Sequence, residues 1–246
     1  MNNTPVSTSF SMPLSLRLSG SALKIIAVLS MVADHCAYFL MEHDSPLYDL
    51  MRTFGRIAFP VFALLIAEGF ANTGNRMRYF LTILGFAVVS EIPWYMLNGG
   101  DGTHNVMFTL AFGIVALTVF DRLCEHGPLC CISIILVASL AWWAGVDYDW
   151  RGVLMIVLFY ILRRQTIEPW ISRNSVCYPT QAIMQIIFTL PLMMYYGLVG
   201  AILSSAIILL YDGTRGNIKG AVAKYSFYAC YPIHLIILRL FLNIVP

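Results

Sequence analysis

Nine apolar stretches in succession, several long enough to cross a bilayer, leave this chain very few folds. They run over 22–41, 54–71, 79–97, 105–121, 129–145, 151–163, 180–195, 197–211 and 225–244. A hydrocarbon layer about 30 Å thick calls for roughly 20 residues of helix. Inside it every backbone group must be satisfied within the protein, which forces helices here. The expected fold is all-α, a polytopic membrane bundle of about nine transmembrane helices, with a range of eight to ten. The stretch 151–163 is short for a span. The two stretches around "MYYGL" predict a tight hairpin, and Pro93 predicts a kink or an end in the third helix.

Composition agrees. Of 246 residues, 59% are hydrophobic and 11% charged, against about 25% charged in soluble domains. A net charge of +2 is too small to argue for nucleic acid. The expected partners at this level are membrane lipids. Residues 1–21 read as a polar cytoplasmic N-terminal segment and 22–246 as one transmembrane domain. The Ser-rich start lacks a charged region followed by an apolar core and a cleavage site, so the first helix is expected to act as an uncleaved signal anchor. Cys36, Cys124, Cys130, Cys131, Cys177 and Cys230 form no CxxC pair or metal-spaced set. They read as small apolar packers, and no metal is expected.

The connections alternate in charge. Eleven of the 15 Lys and Arg residues fall on one side, among them Arg76, Arg78, Arg122, Arg163, Arg164 and Arg173. Arg52, Arg56, Arg151 and Arg239 fall on the other. The positive-inside rule then places the N-terminus in the cytoplasm and the C-terminus outside.

Ionisable groups within the spans are the candidate functional residues, because each costs about 2.5–3.5 kcal/mol at mid-membrane. "KIIAVLSMVADHCAYFL" carries Asp34 beside His35 in the outer third of the first helix. Adjacent helical residues point about 100° apart, so the two need not share a partner. "FGRIAFPVFALLIAEGF" carries Arg56 at its outer end and Glu68 about 18 Å further in, too far for the two to pair. Glu91 ends the third helix, Asn105 opens the fourth, and His234 lies within the ninth. By this reading Asp34, His35, Arg56, Glu91 and Asn105 lie at similar depth near the outer leaflet. They could be a buried ion network that holds the bundle together. They could also be a reactive centre, in which His35 takes a proton, Asp34 orients it and Arg56 meets an anion. A proton-coupled transporter fits the same constellation almost as well. The inner arginines Arg76, Arg78, Arg163 and Arg164 offer a place for nucleotide phosphates, beside their ordinary reading as the positive-inside signal.

Five blocks resemble the TraX family in order and spacing: "LKIIAVLSMVADH", "RTFGRIAFPVFALLIAEGF", "RYFLTILGFAVVSEIPW", "NVMFTLAFGIVAL" and "KYSFYACYPIHLIIL". The resemblance covers about Leu23 to Leu238. That family includes the enzyme associated with N-terminal acetylation of F-type conjugative pilin. The Asp-His pair and the Arg-containing block also resemble the wider transmembrane acyltransferase group. The resemblance implies a bacterial inner-membrane acetyltransferase that uses acetyl-CoA as donor and pilin subunits as acceptor. His35 corresponds to the family's first-helix histidine and Asp34 to its preceding acid. Arg56 matches the second-block arginine, Glu68 its acid, Glu91 the acid of the Glu-Ile-Pro block, and His234 the last-helix histidine. Acyl transfer to a glycan or lipid, pilin cyclisation and proton-coupled transport stay open beside this reading.

Overall fold

The computed structural model describes residues 17–163, 178–218 and 220–244. Most of the N-terminal segment, Arg164, Arg173, Cys177 and Lys219 lie outside the described residues. Within them the chain forms ten α-helices and no strand. These are α1 (Gly20–Leu40), α2 (Pro46–Gly55), α3 (Ala58–Asn72), α4 (Arg76–Asn98), α5 (Val106–Leu123), α6 (Gly127–Trp143), α7 (Asp149–Ile161), α8 (Tyr178–Met194), α9 (Leu198–Leu210) and α10 (Ala221–Ile244). The all-α membrane bundle expected from the apolar runs is the architecture observed. Among the described residues five segments are long and apolar enough to cross a membrane: Gly20–Leu40, Pro46–Asn72, Arg76–Asn98, Val106–Leu123 and Ala221–Ile244.

The second span starts earlier than its apolar run. Ser45 caps α2 by accepting the Tyr48 N–H at 3.2 Å, and Pro46 occupies the first turn, where its missing N–H costs nothing. α2 and α3 are nearly continuous. At the joint the Ile57 N–H bonds to Phe54 O at 3.2 Å, so the turn tightens there. Ser30 of α1 donates its hydroxyl to Phe54 O (3.0 Å) and Gly55 O (3.3 Å). Carbonyls loosened at a joint inside apolar surroundings thereby keep a donor. Arg56 sits on this joint.

α4 runs through Pro93 to Asn98, so the proline does not end the helix. α7 has 13 residues, about 20 Å of helix, and it is buried with α3 and α5 in the middle of the bundle. α8 and α9 form the tight hairpin, turning through Tyr195–Gly197. The outer faces of α4, α6 and α10 expose large apolar side chains such as Ile92, Ile135 and Ile237, as lipid-facing surfaces do.

The two ends of the bundle are tied separately. At one end the chain before α1 meets the α9–α10 connection: Leu18 N–H bonds to Leu210 O at 2.8 Å, and Gly20 N–H to Thr214 O at 2.7 Å. At the other end the α4–α5 and α6–α7 connections pair: His104 N–H bonds to Gly145 O, and Asp147 N–H to His104 O, each at 2.9 Å. Among the described residues Arg76, Arg163 and Arg215 share the first end, in keeping with the charge alternation read along the chain.

Candidate functional site

A cavity of about 240 Å³ opens at the end bearing the α4–α5 and α6–α7 connections. α1 supplies Asp34 and His35, the α2–α3 region supplies Arg52 and Arg56, and the α6–α7 connection supplies Asp147 and Tyr148. The bundle therefore brings Asp34, His35 and Arg56 to one cavity.

Their partners differ from those expected. Asp34 does not orient His35. Its Oδ2 accepts Arg52 Nη1 at 2.6 Å, because consecutive residues on α1 diverge and Asp34 faces α2. The approach is close: a methyl group on Gly55 would land on the Asp34 carboxylate. Asp34 Oδ1 is buried and has no hydrogen-bond partner among the described residues. Arg56, one turn beyond Arg52, lays its side-chain stem against Gly200 of α9, where a side chain would collide with it. Arg56 forms no ion pair among the described residues.

His35 faces α10 instead. Its Nδ1 lies 2.6 Å from His234 Nε2. The rings are inclined by 10° with centroids 4.9 Å apart. That separation is the nitrogen–nitrogen distance plus two ring radii, so the rings meet edge to edge in one plane rather than face to face. His234 Nδ1 in turn lies 2.9 Å from the Cys230 carbonyl. A carbonyl only accepts, so His234 Nδ1 carries a hydrogen. The Nε2 of neutral His234 is then an acceptor, and His35 Nδ1 must donate to it. The remaining nitrogen of His35, Nε2, keeps its lone pair for whatever enters the cavity. Phe39, Trp94 and Tyr231 surround the His35 ring, each with its centroid 6.1 Å away.

The other expected members of the cluster sit elsewhere. Glu91 and Asn105 do not line the cavity. Glu91 bonds His104 Nδ1 (2.5 Å) and Asn105 Nδ2 (2.6 Å). Asn105 caps α5 by accepting the Met107 N–H at 3.0 Å and donates to Ala87 O at 2.9 Å. These two residues tie α4 to α5 and hold up the paired connections. Glu68 pairs with Arg163 at 2.9 Å at the opposite end. Arg76 pairs with Asp121 at 2.5 Å and lies over the Phe70 ring. Of the four inner arginines considered for phosphate, Arg76 and Arg163 are thus already paired, Arg78 is exposed, and Arg164 is outside the described residues.

Sequence reasoning missed Arg52, His104 and Asp147. Arg52 was legible: "SPLYDLMRTFG" carries a helix cap, a first-turn proline and an amphipathic pattern. Asp147 and His104 had no local signal, since only the pairing of two distant connections gives them their places. The turn at Asp147 is unusual. Tyr148 and Asp149 adopt φ of +62° and +40°, the left-handed region that non-glycine residues seldom enter. Thr109 donates its hydroxyl to the Asp147 carbonyl. The Tyr148 ring stacks on Phe59 at 3.7 Å, and Tyr196 donates to Tyr148 O at 3.2 Å.

A multi-pass helical membrane protein with a charged, histidine-bearing cavity let into one end of its bundle is the class defined by these elements. The chain belongs to the TraX family, whose model, described as TraX protein, matches residues 19–242. It is similar to a probable fimbrial assembly protein FimC (serogroup H1) of Dichelobacter nodosus, 28% identical over 241 residues, covering 89% of this chain and 94% of that one. It is also similar to an uncharacterized protein of Rickettsia prowazekii (strain Madrid E), 23% identical over 146 residues, covering 58% of this chain and 55% of the relative. No solved structure gives a significant match.

Proposed function

We propose that this protein serves pilus assembly as a membrane-embedded acetyltransferase, moving an acetyl group from acetyl-CoA to the N-terminal amine of a pilin subunit. Membership of the TraX family and similarity to a protein named for fimbrial assembly support the pilus connection. The observation that carries the chemistry is the bond from His35 Nδ1 to His234 Nε2 at the cavity wall, which leaves His35 Nε2 as the base.

In this mechanism the neutral amine nitrogen attacks the thioester carbonyl carbon. A C–N bond forms, and His35 Nε2 takes a proton from the nitrogen as charge develops on it. The tetrahedral oxyanion is met by Arg56, the cavity guanidinium without an ion pair among the described residues. The C–S bond then breaks, and the imidazolium returns its proton to the departing thiolate. The products are an amide and free thiol. A peptide α-amine titrates near 7.7–8.0, so a neutral imidazole is a sufficient base. His234 stabilises the imidazolium through Nδ1–H of His35, the part that a carboxylate plays in other triads.

The positive-inside asymmetry supports a cavity at the outer end of a bacterial inner-membrane bundle, with the N-terminus cytoplasmic and the C-terminus external. A pilin N-terminus released by leader removal lies at that face. The thioester end of the donor meets Arg56 there, at the end of the bundle about 18 Å from Glu68.

The test is the intact mass of the host's mature pilins. They are expected to carry the mass of one acetyl group with the wild-type protein and to lose it with His35→Ala. Pilins of the same unacetylated mass in both strains would remove the pilin assignment. A loss of one water in place of the added acetyl would favour cyclisation. Acetylation that persists in His35→Ala would remove His35 as the base.

A further inference from the structure

Several N–H and O–H donors on the cavity wall are already spent within the protein. Trp94 Nε1 donates to Thr103 O at 3.0 Å, and the Thr103 hydroxyl to Asp101 Oδ1 at 2.7 Å. Arg52 Nη1 donates to Asp34 at 2.6 Å, and His35 Nδ1 is bound to His234. Tyr148 is different. It lines the cavity, yet its hydrogen bonds among the described residues run through its backbone. The N–H donates to Asp147 Oδ1 at 3.0 Å, and the carbonyl accepts from the Tyr196 hydroxyl at 3.2 Å. The phenol O–H has no partner among the described residues. The sealed, unpartnered side-chain oxygens are Asp34 Oδ1 and Tyr231 Oη, so the Tyr148 oxygen keeps accessible surface. No step of the acetyl transfer above uses it.

The fold spends much on holding this ring still. Tyr148 and Asp149 adopt φ of +62° and +40°, and such conformations, about 1–3 kcal/mol each, persist only where the surroundings over-determine them. Phe59 stacks on the Tyr148 ring at 3.7 Å and 12°, and the Tyr196 ring leans on it at 4.7 Å and 47°. There is no slack at the turn: a methyl group on Gly152 would strike Phe59 and the Tyr148 Cβ. Phe59 follows Arg56 by three residues, one turn along the same helical face. The stack therefore sets the Tyr148 ring next to the cavity guanidinium that has no ion pair among the described residues. The α8–α9 hairpin braces both groups, Tyr148 through Tyr196 and the Arg56 stem through Gly200. The charges of Asp147, Asp34, Arg56 and Arg52 all act on the phenol, as they do on a group that faces the cavity.

We propose that the Tyr148 hydroxyl is a catalytic hydrogen-bond donor, which with Arg56 binds the thioester carbonyl oxygen and holds it as the oxyanion forms. This role rests on the acetyl-transfer reading. As the amine nitrogen bonds to the carbonyl carbon, the carbon–oxygen π pair moves on to oxygen. The phenol donates to that oxygen without giving up its proton. When the C–S bond breaks and its electron pair leaves with sulfur, the oxygen re-forms a carbonyl and the bond from Tyr148 weakens. A carbonyl oxygen has two lone pairs, one for the guanidinium and one for the phenol. Donors already fixed in place need no reorganisation when the charge develops, which is the use of a strained, stacked turn here. The acid–base state suits the part. Burial raises the phenol above its ordinary value, reinforced by Asp147 and Asp34 and opposed by Arg56 and Arg52. It therefore stays protonated at neutral pH and donates.

The experiment uses the purified full-length protein in detergent micelles, with acetyl-CoA and a short apolar peptide bearing a free α-amine. Tyr148→Phe deletes one oxygen and keeps the ring stack and the turn. It is expected to lower kcat by about 10²-fold or more. The KM of each substrate should stay within about twofold of the wild type, and the thermal midpoint should not move. An undiminished kcat overturns the role, as does a loss seen in KM alone or one that a smaller folded fraction accounts for. Should Tyr148→Phe not fold, a difluorotyrosine is placed at the same position by codon suppression. Its more acidic phenol ionises sooner, so the rate should fall away at lower pH than in the wild type. An alkaline limb in the same place overturns the role. A wild type that binds both substrates and forms no amide sinks the acetyl-transfer reading and this role together. An active wild type with an equally active Tyr148→Phe removes the role of Tyr148 alone.

Discussion

His35 and His234, 199 residues apart in sequence, are joined by a 2.6 Å nitrogen–nitrogen bond between coplanar rings. The first described helix and the last meet at this bond. The Cys230 carbonyl at its far end fixes the direction of every hydrogen in the chain, so one tautomer of His35 is imposed by the backbone of α10.

His234 is therefore a positioning residue, and its removal should be felt as a tautomer change. Under the proposed acetyl transfer, His234→Ala is expected to lower the rate by about 10²-fold. His234→Gln, whose amide oxygen can accept from His35 Nδ1, should recover a good part of that loss. Nitrogen NMR of labelled imidazole should show His35 as the Nδ1–H tautomer in the wild type and a mixture in His234→Ala. An unchanged tautomer together with an unchanged rate would refute the role.

The Asp34–Arg52 pair anchors α2 to α1, with side chains only 17% and 20% exposed. Removing one partner of so enclosed a pair leaves the other uncompensated. Arg52→Ala should cost about 3 kcal/mol, read as a lowered thermal midpoint in detergent. Gly55→Ala should act on the same contact without touching a charge, because its methyl group displaces the Asp34 carboxylate. An overpacking cost of about 1–3 kcal/mol is expected. Combined with Arg52→Ala, the two losses should be less than additive, and full additivity would show that Gly55 and Arg52 act separately.

The arginines at the opposite end hold the bundle together. Arg163 is 9% exposed and doubly bonded to Glu68, while Arg76 is shared between Asp121 and the Phe70 face. Arg163→Ala is expected to destabilise the fold by about 3 kcal/mol and, if the proposed donor is acetyl-CoA, to leave its KM within about twofold of the wild type. A large rise in that KM with unchanged stability would make Arg163 a donor-phosphate ligand instead.

Asp147 should leave a signature in the pH dependence of stability. Its carboxyl is raised to about 7 by burial in the fold, against about 3.9 in an unfolded chain. Between those values the folded protein binds more protons than the unfolded one, so stability falls as pH rises through this window. Asp147→Asn, neutral at every pH, should raise the thermal midpoint at pH 8 and change it little at pH 4. The opposite ordering would place the carboxylate in a charge-stabilising environment.

How much of the site is legible before folding is clearest at particular residues. Asp34, His35 and Arg56 stand out in the sequence as costly groups in apolar helices, and the bundle brings all three to one cavity. Glu91 and Asn105 meet the same rule, yet they form a helix-capping tie beside the site. Depth along the membrane normal is readable from hydropathy, but the rotation of each helix is not. Arg52 falls before the apolar run and so reads as a loop residue, although its cap and proline announce a helix. Asp147 sits in a short connection between two spans, where a solvated acid is the ordinary expectation.

The sequence by itself determined an all-helical bundle in lipid, the division of its connections between two ends, and the common depth of Asp34, His35 and Arg56. Hydropathy and charge belong to single residues and sum along a chain, so these properties need no partner to be known. Only the tertiary structure decided which groups touch: Asp34 with Arg52, His35 with His234, and Asp147 on a strained turn that lines the same cavity as both arginines. Hydrogen bonds and ion pairs act over a few ångströms and depend on helix rotation, and that rotation is set by close packing between segments far apart in the chain.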